Sequence, residues 1–327
     1  MNRFVIALAA AAAGSALAGG SNYNVAPGTL AEVKGKVTEW SVPTPRFARD
    51  PAPAPDGSLY ITVMQADKIA RFDPATKQFR EWQVPSGAKP HGLLVDREGI
   101  VFYTGNGNGT IGRLDPASGK VTQFKAPSGG DPHTLIQASD GTIWFTEQGG
   151  RIGRLDPKSG VITEYPTRGG PYGLALSKDG AVWFCQLSGN RMGRLDPATG
   201  KITEIDLPRG SAPRRVAATP DGSILWWAFY GSNELVKFDP IAQKIVKSYP
   251  LPSGGGGGAY AVTVDGAGFA WVNEISGNTV VRMDPVTERM QVIKLPGANT
   301  GIRKMIIAAD GRLWYMGSHN GKIGVIE

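Results

Sequence analysis

The sequence predicts an all-β fold, a seven-bladed β-propeller with four antiparallel strands in each blade, on three observations. A unit of about 42 residues recurs along the chain, which is the length of one propeller blade. The 327 residues include 45 Gly and 24 Pro, as many short strands joined by tight turns require. Eight Trp, nine Tyr and eleven Phe, with no three-residue glycine period, exclude a disordered or collagen-like chain.

The third strand of each unit carries the most regular motif, Ile-Gly-Arg-Leu-Asp-Pro or a close variant. Before it come a short apolar run, an Asp-Gly turn and a second run such as Val182-Trp-Phe184, and a Pro-x-x-Gly turn then leads to the last strand. This pattern indicates a four-stranded meander. The motif's Asp recurs at intervals of 40 to 45 residues, as Asp73, Asp115, Asp156, Asp196, Asp239 and Asp284.

The two ends of the chain predict how the ring closes. Ile323 to Glu327 is a seventh, truncated copy that supplies only a third strand. Lys36 to Val42 reads as the missing fourth strand, so one blade is expected to combine both termini and hide its sheet edges. An open β-solenoid is less favoured because its repeats are shorter. Residues 36–327 are therefore expected to form one domain.

Residues 1–18 have the features of a cleaved signal peptide, followed by an N-terminal extension at 19–35. Arg3 precedes an apolar core, and Ala16-Leu17-Ala18 is a small-x-small cleavage pattern. We expect a periplasmic or secreted monomer without a membrane span. With Cys185 alone, the chain has no internal disulfide. Its net charge of +7 is dispersed, which argues against nucleic-acid binding.

The glycine of the turn between the first two strands gives a common register for all seven blades. The residue eight positions before it is always Arg, His or Tyr, where packing alone would favour apolar residues. These residues are expected at the rim of the central channel, where a small-molecule or peptide ligand would bind. They are Arg49, His91, His133, Tyr172, Arg214, Tyr260 and Arg303.

A second register lies six residues after the same glycine, where the second strand ends. Blade five allows an offset of one residue here, because Trp226-Trp227 suggests an insertion. Only blade three combines a His at the first register, His133, with a carboxylate at the second, Glu147; Asp131 lies two residues before His133. An imidazole can act as a general base, and paired carboxylates suit Mg²⁺. A polar channel filled by water remains open as the alternative. The second register reads Val63, Gly105, Glu147, Gln186, Ala228, Glu274 and Gly317.

The repeat resembles the streptogramin B lyase (virginiamycin B lyase) family over nearly the whole chain after the signal peptide. Pro132-His133, Trp144-Phe-Thr-Glu147, Ile152-Gly-Arg-Leu-Asp156 and their copies carry the resemblance. It implies a seven-bladed, Mg²⁺-dependent enzyme that opens a cyclic depsipeptide by elimination at its threonyl ester. His133 would then remove the α-proton, Asp131 and Glu147 would hold Mg²⁺, and His91 and Tyr172 would orient the substrate or assist the leaving carboxylate.

Three features depart from the family pattern. Asp131 stands where the family typically has Glu, so a direct metal contact could become water-mediated. The blade order is permuted relative to the termini, which a closed ring tolerates. The predicted signal peptide is unexpected in an enzyme against ribosome-targeted drugs, which puts the substrate in more doubt than the chemistry.

Three functions from different classes therefore remain open. The first is a C–O lyase acting on a cyclic or ester-containing peptide. The second is a non-enzymatic periplasmic propeller that binds an anionic ligand or partner, for which Arg49, Arg214 and Arg303 would be suited, with Tyr260 and Glu274 as further substrate contacts. The third is a lactonase-like metal hydrolase, for which few acidic ligands are evident.

Overall fold

Seven four-stranded antiparallel sheets make up the computed structural model, which describes residues 24–327. The predicted seven-bladed propeller is confirmed, and two short 3-10 turns at Met64–Ala66 and Gly254–Gly256 are the only helical elements of this part of the chain. It contains no helix long and apolar enough to cross a membrane. The predicted signal peptide, residues 1–18, lies outside the described residues.

In each blade the strands follow one another from the channel outwards. Blades one to three are β2 (Ala48–Pro53), β3 (Leu59–Val63), β4 (Lys68–Phe72), β5 (Phe79–Gln83); β6 (Pro90–Val95), β7 (Val101–Gly105), β8 (Thr110–Leu114), β9 (Val121–Lys125); and β10 (Pro132–Gln137), β11 (Ile143–Glu147), β12 (Arg151–Leu155), β13 (Ile162–Pro166). Blades four to six are β14 (Pro171–Leu176), β15 (Val182–Gln186), β16 (Arg191–Leu195), β17 (Ile202–Asp206); β18 (Pro213–Ala218), β19 (Leu225–Phe229), β20 (Glu234–Asp239), β21 (Lys244–Pro250); and β22 (Ala259–Val264), β23 (Ala270–Glu274), β24 (Thr279–Met283), β25 (Met290–Lys294).

The seventh blade closes the ring as the sequence predicts. Its inner strands are β26 (Ile302–Ile307), β27 (Leu313–Gly317) and β28 (Lys322–Ile326), and its outer strand is β1 (Val37–Ser41). Strand β1 pairs antiparallel with β28, from Val37 opposite Ile326 to Ser41 opposite Lys322. Pairing the two ends of the chain leaves the last blade with the same four strands as the others.

The glycine of the third-strand motif is explained by packing within the blade. Gly153 of β12 lies opposite Phe145 of β11, whose ring covers it. A Cβ at Gly153 would lie only 2.1 Å from the Phe145 ring. A side chain there would displace an aromatic ring of the core. The motif's Asp has a different role: the Asp156 carboxylate accepts a hydrogen bond from the Lys158 amide and fixes the turn that follows.

Residues 24–33, which we call the strap, cross the far opening of the channel, where the innermost strands end. Asn24 Nδ2 donates to the Val95 carbonyl (2.9 Å) in blade two and to Gln137 Oε1 (2.7 Å) in blade three. On the opposite side of the ring, the Gly28 amide donates to the Ala308 carbonyl (3.0 Å). The strap therefore ties opposite blades together and covers this end of the channel.

Candidate functional site at the channel entrance

All seven residues of the first register lie at the second position of an innermost strand, at the entrance of the channel opposite the strap. In three of them the backbone is held by the preceding blade. Thr104 Oγ1 of blade two donates to the His133 carbonyl (3.0 Å), and Thr146 Oγ1 of blade three donates to the Tyr172 carbonyl (2.8 Å). Likewise, Thr62 Oγ1 of blade one donates a hydrogen bond to the His91 carbonyl (2.8 Å). These links between blades fix where the side chains project.

Three of these residues, His91, His133 and Tyr172, form a tilted stack, with interplanar angles of 41° and 46°, which we call the imidazole side of the ring. The ring centroids of His91 and His133 are 3.8 Å apart, and those of His133 and Tyr172 are 4.0 Å apart. Burial lowers the pKa of both imidazoles well below the usual range, and the cations Arg49 and Arg215 act in the same direction. Both imidazoles are therefore uncharged at neutral pH, the form that accepts a proton.

Each imidazole is oriented by a hydrogen bond from its Nδ1 position. His91 Nδ1 lies 3.0 Å from the His133 carbonyl oxygen, which can only accept, so the proton of His91 is on Nδ1. His133 Nδ1 lies 2.9 Å from Thr134 Oγ1. In both residues this leaves Nε2 as the nitrogen free for a ligand.

The other four residues, Arg49, Arg214, Tyr260 and Arg303, form the arginine side. The phenol oxygens of Tyr172 and Tyr260 are 2.5 Å apart and connect the two sides. Arg303 Nη1 donates to Tyr260 Oη (3.0 Å), and the Arg214 guanidinium lies over the Tyr260 ring (4.0 Å). Burial by itself would raise the pKa of Tyr260, but Arg214, Arg49 and two further arginines outweigh it and lower the pKa to about 8.

A second layer of charged residues lies one position further into the channel, and the sequence analysis missed it. Arg215 Nη1 donates to Thr134 Oγ1 (2.7 Å), and Arg215 Nη2 lies 3.5 Å from Asp50 Oδ2. Lys304 Nζ lies 3.8 Å from the same carboxylate oxygen. The signal was available seven residues before the turn glycine, where three charged residues stand among four small ones: Asp50, Gly92, Thr134, Gly173, Arg215, Ala261 and Lys304.

Two further residues that the sequence analysis did not assign to the site contact the arginine side. His319, which follows β27, has Nε2 3.2 Å from Arg303 Nη2 and Nδ1 2.7 Å from Asn299 Oδ1. The Phe47 ring lies beside the guanidinium groups of Arg49 (5.1 Å) and Arg303 (5.4 Å). Phe47 stands at the position that Asp131 has in blade three, and no single residue type fills that position, or the position of His319, in every blade, so the repeat could not reveal them.

The two carboxylates predicted to bind a metal, Asp131 and Glu147, lie close enough to influence each other. Glu147 is fully buried and accepts one hydrogen bond, from Ser128 Oγ (3.4 Å), while its Oε1 has no partner. Burial, and next the nearby Glu164, raise the pKa of Glu147 to about 7. Asp131 adds to this effect and accepts a hydrogen bond from the Gly149 amide (2.8 Å). No hydrogen bond joins either carboxylate to His133 in residues 24–327.

These carboxylates were tested as ligands for Mg²⁺, the metal that the family resemblance implies. Within the described range, no group of three or more His, Cys, Asp or Glu side chains is arranged to hold a metal ion. Mg²⁺, however, keeps several waters and commonly binds to one or two carboxylates. The unpartnered Oε1 of Glu147 and the excess negative charge around it fit a cation of this kind, with Asp131 as the second ligand.

Glu274, the other carboxylate of the second register, lies between blades five and six. Glu274 accepts hydrogen bonds from Ser253 Oγ, Thr279 Oγ1 and Asn233 Nδ2, all at 2.9 Å, and so anchors the loop before β22. In blade five the strand ends one residue later, at Phe229 instead of Ala228. Pro213 pairs with Phe229, whereas the corresponding Pro132 pairs with Glu147, so the offset that the sequence allowed is present.

Solved structures with the same architecture include several lyases. One, described as a streptogramin B lyase, is 27% identical over 89% of this chain and 97% of its own, with a TM-score of 0.82. The virginiamycin B lyase from Staphylococcus aureus is 23% identical over 89% of this chain and 98% of its own (TM-score 0.81), which shows the shared fold. Hydrazine synthase from Kuenenia stuttgartiensis, 16% identical over 90% and 99% (TM-score 0.77), shows that this fold also occurs in a protein of different function.

The family comparison covers almost all of the described chain. A search of curated proteins gave no match. The model of the virginiamycin B lyase family, in contrast, matches residues 28–170 and 150–327, so that every blade is included. Together with the ring of His, Tyr and Arg side chains at the channel entrance, this match identifies the chain as a member of the virginiamycin B lyase family.

Proposed function

We propose that this protein is a carbon–oxygen lyase that opens a cyclic depsipeptide at an ester by elimination. The observation that carries the proposal is the stack of two uncharged imidazoles on Tyr172 at the channel entrance. Membership of the virginiamycin B lyase family supports it. So does the name of the 27% identical streptogramin B lyase, and a catalytically inactive variant of the Staphylococcus aureus enzyme has been solved with quinupristin.

In the proposed reaction His133 is the general base. Its Nε2 takes the proton from the carbon α to the carbonyl, the electron pair of the C–H bond forms the new carbon–carbon double bond, and the β-carbon–oxygen bond breaks. The ester oxygen leaves as part of a carboxylate. Stacking on His91 and Tyr172 holds the His133 ring in place, and the low pKa of His133 keeps it unprotonated at neutral pH.

The carboxylates of Asp131 and Glu147 are proposed to hold Mg²⁺, as the resemblance implies. Bound there, the ion would supply Lewis-acid polarisation of the substrate's carbonyl oxygen. Without the ion, burial and the neighbouring Glu164 favour a protonated Glu147. Because metal ligands must be deprotonated, Mg²⁺ binding should release a proton near neutral pH.

The test is mass spectrometry of a streptogramin B incubated with the purified protein, with and without Mg²⁺. Elimination gives an opened product of unchanged mass, whereas the lactonase-like alternative adds one water. The product should be formed only with Mg²⁺ and should be lost in His133→Ala at an unchanged melting temperature. Arg71→Gln, which removes an exposed ion pair with Asp56, is the control. No opened product from any depsipeptide, with or without Mg²⁺, would refute the lyase.

A non-enzymatic anion binder is the second candidate, because two buried nitrogens of Arg49 have no hydrogen-bond partner. This function predicts binding without turnover, which Arg214→Ala would weaken and His133→Ala would not.

Under either function we propose export to the periplasm. The protein should be recovered from the periplasmic fraction with its N-terminus after Ala18, and recovery from the cytoplasmic fraction with Met1 intact would contradict export.

A further inference from the structure

We propose that Arg49, Arg303 and Tyr260 form a binding site for a carboxylate group at the channel entrance. The ligand's identity depends on the proposed function, in which the site receives the carboxylate that leaves the ester. The site itself does not depend on it, because its donors and their charge are properties of the folded chain. It gives the arginine side a role distinct from that of the imidazole side.

The unpartnered nitrogens of Arg49 are the first argument. Arg49 is only 6% exposed, yet its Nε and Nη2 are buried without a hydrogen-bond partner. A buried cationic donor without an acceptor is strongly unfavourable, because the group has lost its hydration and gained no hydrogen bond. Arg215, in the second layer, donates to Thr134 and approaches Asp50. An acceptor from a ligand would satisfy Arg49 in the same way.

The second argument is the balance of charge around Arg49. The layer of Arg49 and the second layer together hold four further cations, Arg303 and Lys304 from the adjacent blade seven and Arg214 and Arg215 from blade five. Asp50 is the one carboxylate in these two layers of the described structure, and Arg215 and Lys304 already share it. Five cations therefore face one anion, which leaves the entrance strongly positive.

Tyr260 supplies the third argument, because the same positive charge acts on its phenol group. Its phenol oxygen lies 3.0 Å from Arg303 Nη1 and 2.5 Å from the phenol oxygen of Tyr172. The arginines overcome the effect of burial and lower the pKa of Tyr260, so they stabilise negative charge at this position. A carboxylate placed between Arg49 and Arg303 experiences that stabilisation directly.

Carboxylate is the anion that best matches these donors and the proposed reaction. Planar guanidinium groups bind carboxylates through paired hydrogen bonds. A leaving carboxylate is a weak base, so it needs neighbouring positive charge more than it needs a proton. The site lies beside His91 and across the ring from His133. The general base and the leaving carboxylate can therefore be bound on opposite sides of the substrate.

Isothermal titration calorimetry with N-acetylphenylalanine and its primary amide tests the site on the full-length protein without turnover. The acid should bind at least about tenfold more tightly than the amide, a difference of about 1.4 kcal/mol. Arg49→Gln should abolish that preference at an unchanged melting temperature, and Arg71→Gln should keep it. Inorganic phosphate should bind more weakly than the acid.

The outcomes separate this site from the proposed function. If the protein opens a depsipeptide but binds acid and amide equally, or if Arg49→Gln keeps the preference, the carboxylate site is refuted and the lyase stands. If the acid is preferred but no depsipeptide is opened, the site stands and the lyase is refuted. Tighter binding of phosphate than of the acid would overturn the assignment to carboxylates.

Discussion

Replacing Asp50 with Asn should destabilise the propeller strongly, because this carboxylate lies between two buried cations. Asp50 is fully buried, and its Oδ2 is 3.5 Å from Arg215 Nη2 and 3.8 Å from Lys304 Nζ. At such distances and an effective dielectric constant of about 20, each attraction is on the order of 4 kcal/mol before desolvation is subtracted. Removing one partner of a buried ion pair typically destabilises by about 3–5 kcal/mol, and we expect a loss in that range.

The loss should also depend on pH, because burial lowers the pKa of Lys304 to about 8 and Asp50 opposes that effect. Without Asp50, the pKa of Lys304 in the folded protein falls further below its unfolded value of 10.5. As the pH rises, Lys304 therefore loses its proton at a lower pH in the variant than in the wild type. The loss in free energy of unfolding caused by Asp50→Asn should therefore be larger at about pH 6 than at about pH 9.

Urea unfolding at both pH values, followed by tryptophan fluorescence, measures the effect. Arg71→Gln is the control, because its exposed ion pair with Asp56 should contribute less than about 1 kcal/mol. Adding Lys304→Met to Asp50→Asn should restore part of the stability and remove the pH dependence. A loss no larger than that of Arg71→Gln, or a deficit unchanged by pH, would refute the reasoning.

Two further predictions concern the strap and the imidazoles. In Gly28→Ala, the new Cβ would lie 2.2 Å from the Ala309 carbonyl oxygen, so the strap must shift. The melting temperature of the variant should therefore fall. An unchanged melting temperature would show that the strap does not hold the blades together. At a Mg²⁺ concentration that keeps Glu147 deprotonated, the acid limb of the kcat/KM profile for depsipeptide opening should lie well below pH 6.5, because burial lowers the pKa of His133. An acid limb at or above that pH would contradict a buried, uncharged base.

Much of the candidate site follows from the repeat. The distance from the turn glycine places His91, His133 and Tyr172 at equivalent positions of successive blades, and adjacent blades bring equivalent positions together. The same distance from the turn glycine predicts that Arg49, Arg214 and Arg303 lie at the channel entrance. It could not show that Glu147 turns towards Ser128, because a register fixes the position of a residue but not the direction in which its side chain finds a partner.

The propeller, the blade boundaries and the closure by β1 can be predicted from the sequence, because each depends on local strand and turn signals that repeat along the chain. Which side chains meet across the channel depends on the folded ring. Tyr172 and Tyr260 are 88 residues apart, and Asp50 and Arg215 are 165 apart. Their contacts depend on the width of the closed ring and on how far each side chain reaches into it, and no local pattern encodes either quantity. The strap's path across the far opening was decided in the same way, by hydrogen bonds to blades on opposite sides of the ring.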